Sequence, residues 1–279
     1  MLHFTDIADI RNYLNERQLE GKSVGLVPTM GALHDGHYSL VKAAVKENDI
    51  AIASIFINPV QFDQKEDFEN YPKTMSSDFS GLEKMGTHIV FTPSLEEIYP
   101  STLNLNLSFG SMEKGMEGKF REGHFNGVGI IVGKLLNIIR PNTAYFGQKD
   151  LQQFSIITCL VEDLSYDVEL KCMPTVRSEN GLALSSRNQR LSKKGLDEAA
   201  LIYKSLNLAH DLLRKSYSIA EVEHQIHNLY EKSNLDLEYF AVVDAVSLVP
   251  LTTLAQKTAL CVAAHVEGVR LIDNMIISE

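Results

Sequence analysis

The sequence predicts an α/β fold on a parallel sheet, followed by a smaller α+β domain. Three observations carry this reading. Short apolar runs alternate with amphipathic stretches as far as Pro174. The run Ile50–Ile57 (IAIASIFI) is continuously apolar, as a strand covered on both faces requires. Beyond Pro174 the alternation gives way to two amphipathic helical stretches and then two strand-like runs.

Each element follows from its local pattern. Lys22–Val27 (KSVGLV) is a short strand-like run that closes at Pro28. Tyr38–Val45 places Leu40, Val41, Ala44 and Val45 on one helical stripe. Thr87–Thr92 and Thr143–Phe146 are again short apolar runs. Leu151, Phe154, Ile157, Val161 and Leu164 step by three and four, which predicts a helix, and Val168–Met173 predicts a strand. Ile202, Leu206, Ala209 and Leu213 mark one later helix; Ile219, Val222, Ile226 and Leu229 mark another. Leu237–Val243 and Ala259–Val266 are the last expected strands. The expected domains are residues 1–174 and 175–279.

Composition narrows the function classes. A chain of 279 residues can bury a core without staples. The formal charge is −10 and the pI about 5.4, which argues against nucleic acid as a partner. Cys159, Cys172 and Cys261 form no Cys-x-x-Cys pair, so mostly buried, reduced thiols in a cytoplasmic protein are expected. The N-terminal residues carry acids and no apolar core of a signal peptide. No apolar run reaches membrane-spanning length; the nearest, Val128–Ile139, is broken by Lys134 and Asn137. His224 and His227 share a helical face without a third ligand nearby, and read as surface residues.

Standard phosphate loops are excluded first. Gly21-Lys22-Ser23 ends like a Walker A loop, but Glu16 stands where its first glycine belongs. Gly127-Val128-Gly129 is followed by Val132 where a dinucleotide fingerprint needs glycine. Another device is therefore required for a nucleotide. Pro28-Thr29-Met30-Gly31-Ala32-Leu33-His34-Asp35-Gly36-His37 lies between the first strand and the first helix. A helix starting near Gly36 aims backbone N–H groups and a positive dipole end at an anion, and His34 and His37 add donors on one face. Two histidines ending a loop are the plainer alternative, which the Gly-x-x-x-x-Gly-His pattern disfavours.

Further clusters follow strands in the same way. Gly147-Gln148-Lys149-Asp150 opens a helix, with Asp150 suited to its N-cap, Lys149 to a phosphate, and Gln153 on the following turn. A plain solvated helix start is the alternative for this cluster. Pro174-Thr175-Val176-Arg177 leads to Leu184-Ser185-Ser186-Arg187, where two hydroxyls and a guanidinium form an anion grip or only a loop. Gln61, in Asn58-Pro59-Val60-Gln61-Phe62, offers a neutral bidentate group after the buried strand. Arg121-Glu122-Gly123-His124-Phe125 precedes an apolar helix and is a candidate border of the same site.

Taken in order, these motifs resemble the pantothenate synthetases (pantoate–β-alanine ligases). The resemblance runs from Pro28 to Leu191 and returns at Arg270-Leu271-Ile272-Asp273-Asn274. The first motif alone is shared with a wider group of nucleotidyltransferases and class I aminoacyl-tRNA synthetases. The resemblance implies a Rossmann-like nucleotidyltransferase domain and a two-step ligase. ATP and (R)-pantoate give pantoyl adenylate and pyrophosphate; β-alanine then displaces AMP. It implies ATP contacts at Met30, Gly31, Ala32, Leu33, His34, Asp35, Gly36 and His37, at Gly147, Gln148, Lys149 and Asp150, and at Val176, Leu184, Ser185, Ser186 and Arg187. His34, His37, Lys149, Ser185, Ser186 and Arg187 would serve catalysis, with His37 as proton donor. Gln61 and Gln153 would hold pantoate, Gln61 also β-alanine, and Asp78 the Mg²⁺ that accompanies ATP. A homodimer is implied, with Ile50–Ile57 or Leu103–Phe109 as candidate contact strands.

The chain departs from the family pattern at five places. Gln148 replaces a usual Glu, Glu122 a Pro, Ser178 and Asn180 acidic residues, and Arg190 a Tyr. None is a residue that carries charge chemistry in this reading. Three other readings compete: another adenylate-forming or nucleotidyl-transferring enzyme, a nucleotide-binding regulator without catalysis, and an RNA-binding protein. Gln61 and Gln153, which match the pantoate-holding positions of the resembled family, speak against the first, the intact donors His34, His37, Lys149 and Arg187 against the second, and the net charge of −10 against the third.

Overall fold

The computed structural model describes residues 1–278. The chain begins with β1 (Leu2–Phe4), α1 (Ile7–Leu19), β2 (Val24–Thr29), α2 (Asp35–Glu47), β3 (Ile50–Ile55), α3 (Lys65–Glu69), α4 (Met75–Lys84) and β4 (Ile89–Phe91). Then come α5 (Leu95–Ile98), α6 (Met116–Phe120), α7 (His124–Ile139), β5 (Thr143–Gly147), α8 (Leu151–Asp163) and β6 (Glu169–Met173). The last elements are α9 (Lys193–Arg214), α10 (Ile219–Glu231), β7 (Asp236–Asp244), β8 (Lys257–Val266) and β9 (Val269–Ser278).

Two compact units divide the chain. The first holds Met1–Phe109, Phe120–Gly147 and Ile156–Pro174; the second holds Gly110–Lys119, Gln148–Ser155 and Thr175–Glu279. Against the simple expectation of residues 1–174 and 175–279, two short earlier segments group with the second unit.

The first unit is built on a six-stranded sheet, ordered β1-β4-β3-β2-β5-β6, with every pair parallel. The chain steps outward from β2 through β3 to β4, then returns to place β5 and β6 on the other side. The order therefore reverses between β2 and β5, and open α/β sheets bind ligands at the carboxyl ends of strands beside such a reversal. Every residue of β3 is buried, as its unbroken apolar run requires. It pairs with β2 on one side and β4 on the other. This corrects the expectation that Ile50–Ile57 serves as a contact strand, because a central strand has no open edge. Leu103–Phe109 forms no strand.

Strand β2 runs through Pro28 to Thr29 instead of closing before it. The Thr29 carbonyl accepts from Phe56 N–H, while the Val24 carbonyl accepts from Asn142 N–H. Alternate residues thus face β3 and β5, and Pro28 belongs to the β5-facing set. Pairing with β5 ends at Leu26, so the missing Pro28 N–H breaks no ladder bond.

Among the described residues, no helix is long and apolar enough to cross a membrane. Of the cysteines only Cys261 is buried; Cys159 is intermediate and Cys172 exposed. The expectation of mostly buried thiols fails at Cys172 because β6 is an edge strand.

In the second unit β7, β8 and β9 form an antiparallel sheet in that order. Leu206 and Ala209 of α9 and Val222 and Ile226 of α10 pack with Leu260 and Val262 of β8. The two helices carry the predicted apolar stripes, and Ser192 and Ser218 cap their N-termini.

Candidate active site

In the first unit the candidate site starts where β2 ends. Gly31 and Ala32 both have positive φ, 82° and 50°. Left-handed backbone is disfavoured for alanine. Asp78, at the start of α4, holds it in place: its two carboxylate oxygens accept Ala32 N–H at 2.9 Å and Leu33 N–H at 2.8 Å. The Thr74 hydroxyl donates to Asp78 Oδ1 at 3.1 Å, and Asp78 is only 2% exposed. Asp78 was expected at Mg²⁺; its oxygens are instead committed to shaping the turn from Met30 to Leu33.

His34 is the N-cap of α2. Its Nδ1 accepts Gly36 N–H at 3.1 Å, and His37 Nδ1 accepts His34 N–H at 3.4 Å. This is a capping box in which histidines take the places of the usual Ser/Thr and Glu/Gln. It also fixes tautomers. A ring nitrogen that accepts a backbone N–H carries no hydrogen, so in each neutral imidazole the hydrogen sits on Nε2. Both rings therefore present an Nε2–H donor edge, and both are half-buried.

Gln61 lies in a 3-10 turn, Pro59–Gln61, just after β3. It is 8% exposed. Its Nε2 donates to Met30 Sδ at 3.3 Å, and its Oε1 accepts from Asn58 Nδ2 at 3.1 Å. Asn58 in turn donates to the Gly127 carbonyl and accepts from the Tyr99 hydroxyl. His124 is buried, and its Nδ1 donates to the Gln61 carbonyl at 2.7 Å. Arg121 reaches His124 Nε2 at 3.2 Å and Asp63 at 3.4 Å. The Arg121–His124 turn was expected as a border of the site; the structure shows it setting the backbone of Gln61.

The second unit holds the remaining candidates. Gln148–Asp150 forms a 3-10 turn ahead of α8. Lys149 Nζ pairs with Asp150 Oδ1 at 2.9 Å. Gln153 is half-buried on the first turn of α8. Its neighbour Gln152, which sequence reasoning passed over, donates to the Met112 and Gly115 carbonyls and accepts Glu117 N–H. Those bonds explain why Gly110–Lys119 belongs to this unit. Arg270 strengthens the link by pairing with Glu117 and Glu238.

Val176 and Leu184 meet through Leu184 N–H to the Val176 carbonyl at 3.0 Å. Ser185 caps the 3-10 turn Ser186–Arg190, accepting Arg187 N–H at 3.3 Å, while Asn188 Oδ1 accepts Ser185 N–H. Ser186 is buried. Thr175 Oγ1 and Asn188 Nδ2 are buried without a hydrogen-bond partner among the described residues. Ser178 and Asn180 bond to each other and to the Leu182 backbone, so the loop is closed by neutral contacts where the family pattern has acids. Glu122 is exposed, and Arg190 is exposed on its turn.

Histidine donors at a helix start, a lysine beside a strand end and a guanidinium loop all suit phosphate oxygens. On the first unit's parallel sheet, which reverses at β2, the histidine pair at the start of α2 defines a nucleotide-dependent α/β enzyme. The pantoate-beta-alanine ligase family model matches residues 2–276. The pantothenate synthetase of Cytophaga hutchinsonii is 44% identical over 281 residues, covering 99% of each chain. That of Aquifex aeolicus is 43% identical over 98% of each. The pantothenate synthetase structure from Thermus thermophilus superposes with a TM-score of 0.92 at 36% identity and 99% coverage of both chains. The Francisella tularensis ligase, solved with β,γ-ATP and β-alanine, gives 0.82 at 34% identity, covering 99% of this chain and 97% of that one. The chain belongs to the pantoate–β-alanine ligase family. Its activity is the ATP-dependent formation of pantothenate.

Proposed function

We propose that this chain activates (R)-pantoate as an acyl adenylate and then passes the acyl group to β-alanine. A carboxylate oxygen of pantoate attacks the α-phosphorus of ATP, and the bond to the pyrophosphate oxygen breaks. The β-alanine amine then attacks the acyl carbon, AMP leaves with the electron pair of the C–O bond, and the amine gives up its proton. Neither step needs a protein nucleophile. Both need positioning and donors for negative charge that spreads in the transition state.

The observation that carries this reading is the paired cap of His34 and His37. With both Nδ1 atoms accepting backbone N–H, both Nε2–H groups serve as phosphate donors, and His37 is the proton donor to the leaving oxygen. Met30–Asp35 and Gly36 line the nucleotide through the turn that Asp78 shapes. Gln61 holds the pantoate hydroxyls and later β-alanine, and Gln153 supports pantoate. In the second unit Lys149 meets phosphate, exchanging its bond to Asp150, and Asp150 turns to the ribose. Val176 meets adenine through its backbone. Ser185, Ser186 and Arg187 meet the phosphates, with Leu184 leading into them and Gly147 and Gln148 flanking Lys149.

Mg²⁺ enters as part of the nucleotide substrate. The oxygens of Asp78 are occupied by backbone N–H groups, so that residue does not fit a metal ligand and no step is routed through it. We further place the protein in the cytoplasm as a homodimer, which sedimentation mass tests. The direct test of function is release of AMP and pyrophosphate from ATP, Mg²⁺ and (R)-pantoate, with and without β-alanine. Pantothenate and AMP appearing together only with all substrates supports the ligase. A folded, ATP-binding sample that forms neither would overturn it.

A further inference from the structure

We propose that Asn274 is a positioning residue for Lys149, setting the backbone that carries the lysine to the nucleotide. This rests on the proposed contact of Lys149 with phosphate. Asn274 lies on β9, opposite Cys261 of β8, and is 3% exposed. Its main chain is therefore fixed by a ladder, and its side chain spends its whole amide on one distant turn. Nδ2 donates to the Gln148 carbonyl and to the Lys149 carbonyl, each at 2.8 Å. Oδ1 accepts from Gln148 Nε2 at 3.3 Å. A single 3-10 turn has weak internal hydrogen bonding, so a clamp on two successive carbonyls decides its shape.

The clamp is itself held. Asp273 Oδ1 accepts Asn274 N–H at 2.8 Å. Both oxygens of Asp273 accept from Arg177, whose guanidinium lies 3.9 Å from the centroid of the Tyr203 ring. A chain of buried and part-buried polar contacts thus runs from the residue after Val176 to the turn bearing Lys149. The same contacts give Gln148 a use. A glutamate there has no hydrogen to donate to Asn274 Oδ1.

The test compares Asn274→Asp, Lys149→Ala and the double variant with the wild-type chain. Aspartate keeps the volume but turns an oxygen toward two carbonyl oxygens. Single-turnover pyrophosphate release from ATP, Mg²⁺ and (R)-pantoate reads the first step alone. Asn274→Asp should slow it by about 10- to 100-fold, the loss of one to two hydrogen bonds' worth of transition-state positioning. The KM for pantoate should stay within about twofold, since a purely local loss of turn geometry leaves uniform pantoate binding intact. In the Lys149→Ala background the Asn274→Asp change should have no further effect, because a positioning residue acts only through its target.

A wild-type rate in Asn274→Asp, beside a slow Lys149→Ala, would overturn the positioning role alone. So would an equal loss from Asn274→Asp in both backgrounds. A normal rate in Lys149→Ala would overturn the lysine role and this inference together. If Asn274→Asp does not fold by circular dichroism, Asn274→Ala, which removes the donors without adding charge, is judged by the same outcomes.

Discussion

His37 Nδ1 accepts the backbone N–H of His34 at 3.4 Å, and the two ring centroids lie 4.1 Å apart at 45°. One contact therefore serves the helix start and, in the proposed mechanism, the chemistry. The separation of those two roles is testable. Gln at the third helical position keeps a capping box. His37→Gln should therefore leave the melting temperature nearly unchanged while adenylation falls by about 10²- to 10³-fold, the usual loss of one transition-state donor. Unchanged turnover in this variant would remove His37 from the chemistry.

Asp78 predicts a coupled loss of stability and nucleotide binding. Asn at this position keeps one acceptor but turns an NH₂ toward a backbone N–H, in a nearly dry site. A buried donor left unpaired costs about 1–3 kcal/mol. For a chain of this size that lowers the melting temperature by about 2–4 °C per kcal/mol. The KM for ATP should rise with it. A metal-ligand role would instead show as a shifted Mg²⁺ requirement without loss of thermal stability.

Gly127 predicts control of Gln61 by a neighbour with no side chain. A Cβ at Gly127 would lie 2.6 Å from Gln61 N and Cα and from the Val60 carbonyl carbon, all backbone atoms that cannot rotate away. Gly127→Ala must push the Pro59–Gln61 turn, at about 1–3 kcal/mol of overpacking. The KM for pantoate should rise at least about tenfold, equivalent to 1.4 kcal/mol, while that for ATP changes little. Steady-state kinetics with each substrate varied decides this; equal rises in both would contradict it.

Acid should destabilise the fold. Hydrogen bonds from Lys171 and Tyr145 hold Glu47 below the ordinary carboxylate range. Ser218 does the same for Glu221, Ser192 for Glu267, and Ser247 with the Val246 backbone for Asp244. A carboxylate lowered in the folded state adds stability above its unfolded value, near pH 4, and loses it as pH falls through the folded value. The melting temperature should hold near neutral pH and fall below about pH 4. Glu267→Gln should flatten part of that fall; a melting temperature that rises under acid would refute the assignment.

What the residues determined by themselves was local. Burial periodicity is a property of neighbours in sequence, so β3, β5, α2, α9 and α10 could be read from their apolar spacing, and the His34–His37 segment from its place between a strand and a helix. Strand β1 escaped because three residues carry no period. Strand β9 escaped because Asp273 and Asn274 are buried where alternation asks for apolar side chains. Tertiary structure alone decided what those polar residues are for. Asn274 bonds the turn at Gln148 across 126 positions, and Asp78 bonds Ala32 across 46. A hydrogen bond between such distant groups depends on where the whole chain has brought them, and it leaves no trace in the spacing of either partner's neighbours. The strand-to-helix segments of the candidate site were therefore legible in the sequence, and the buried polar clamps that shape them became visible only once the sheets had set their backbones.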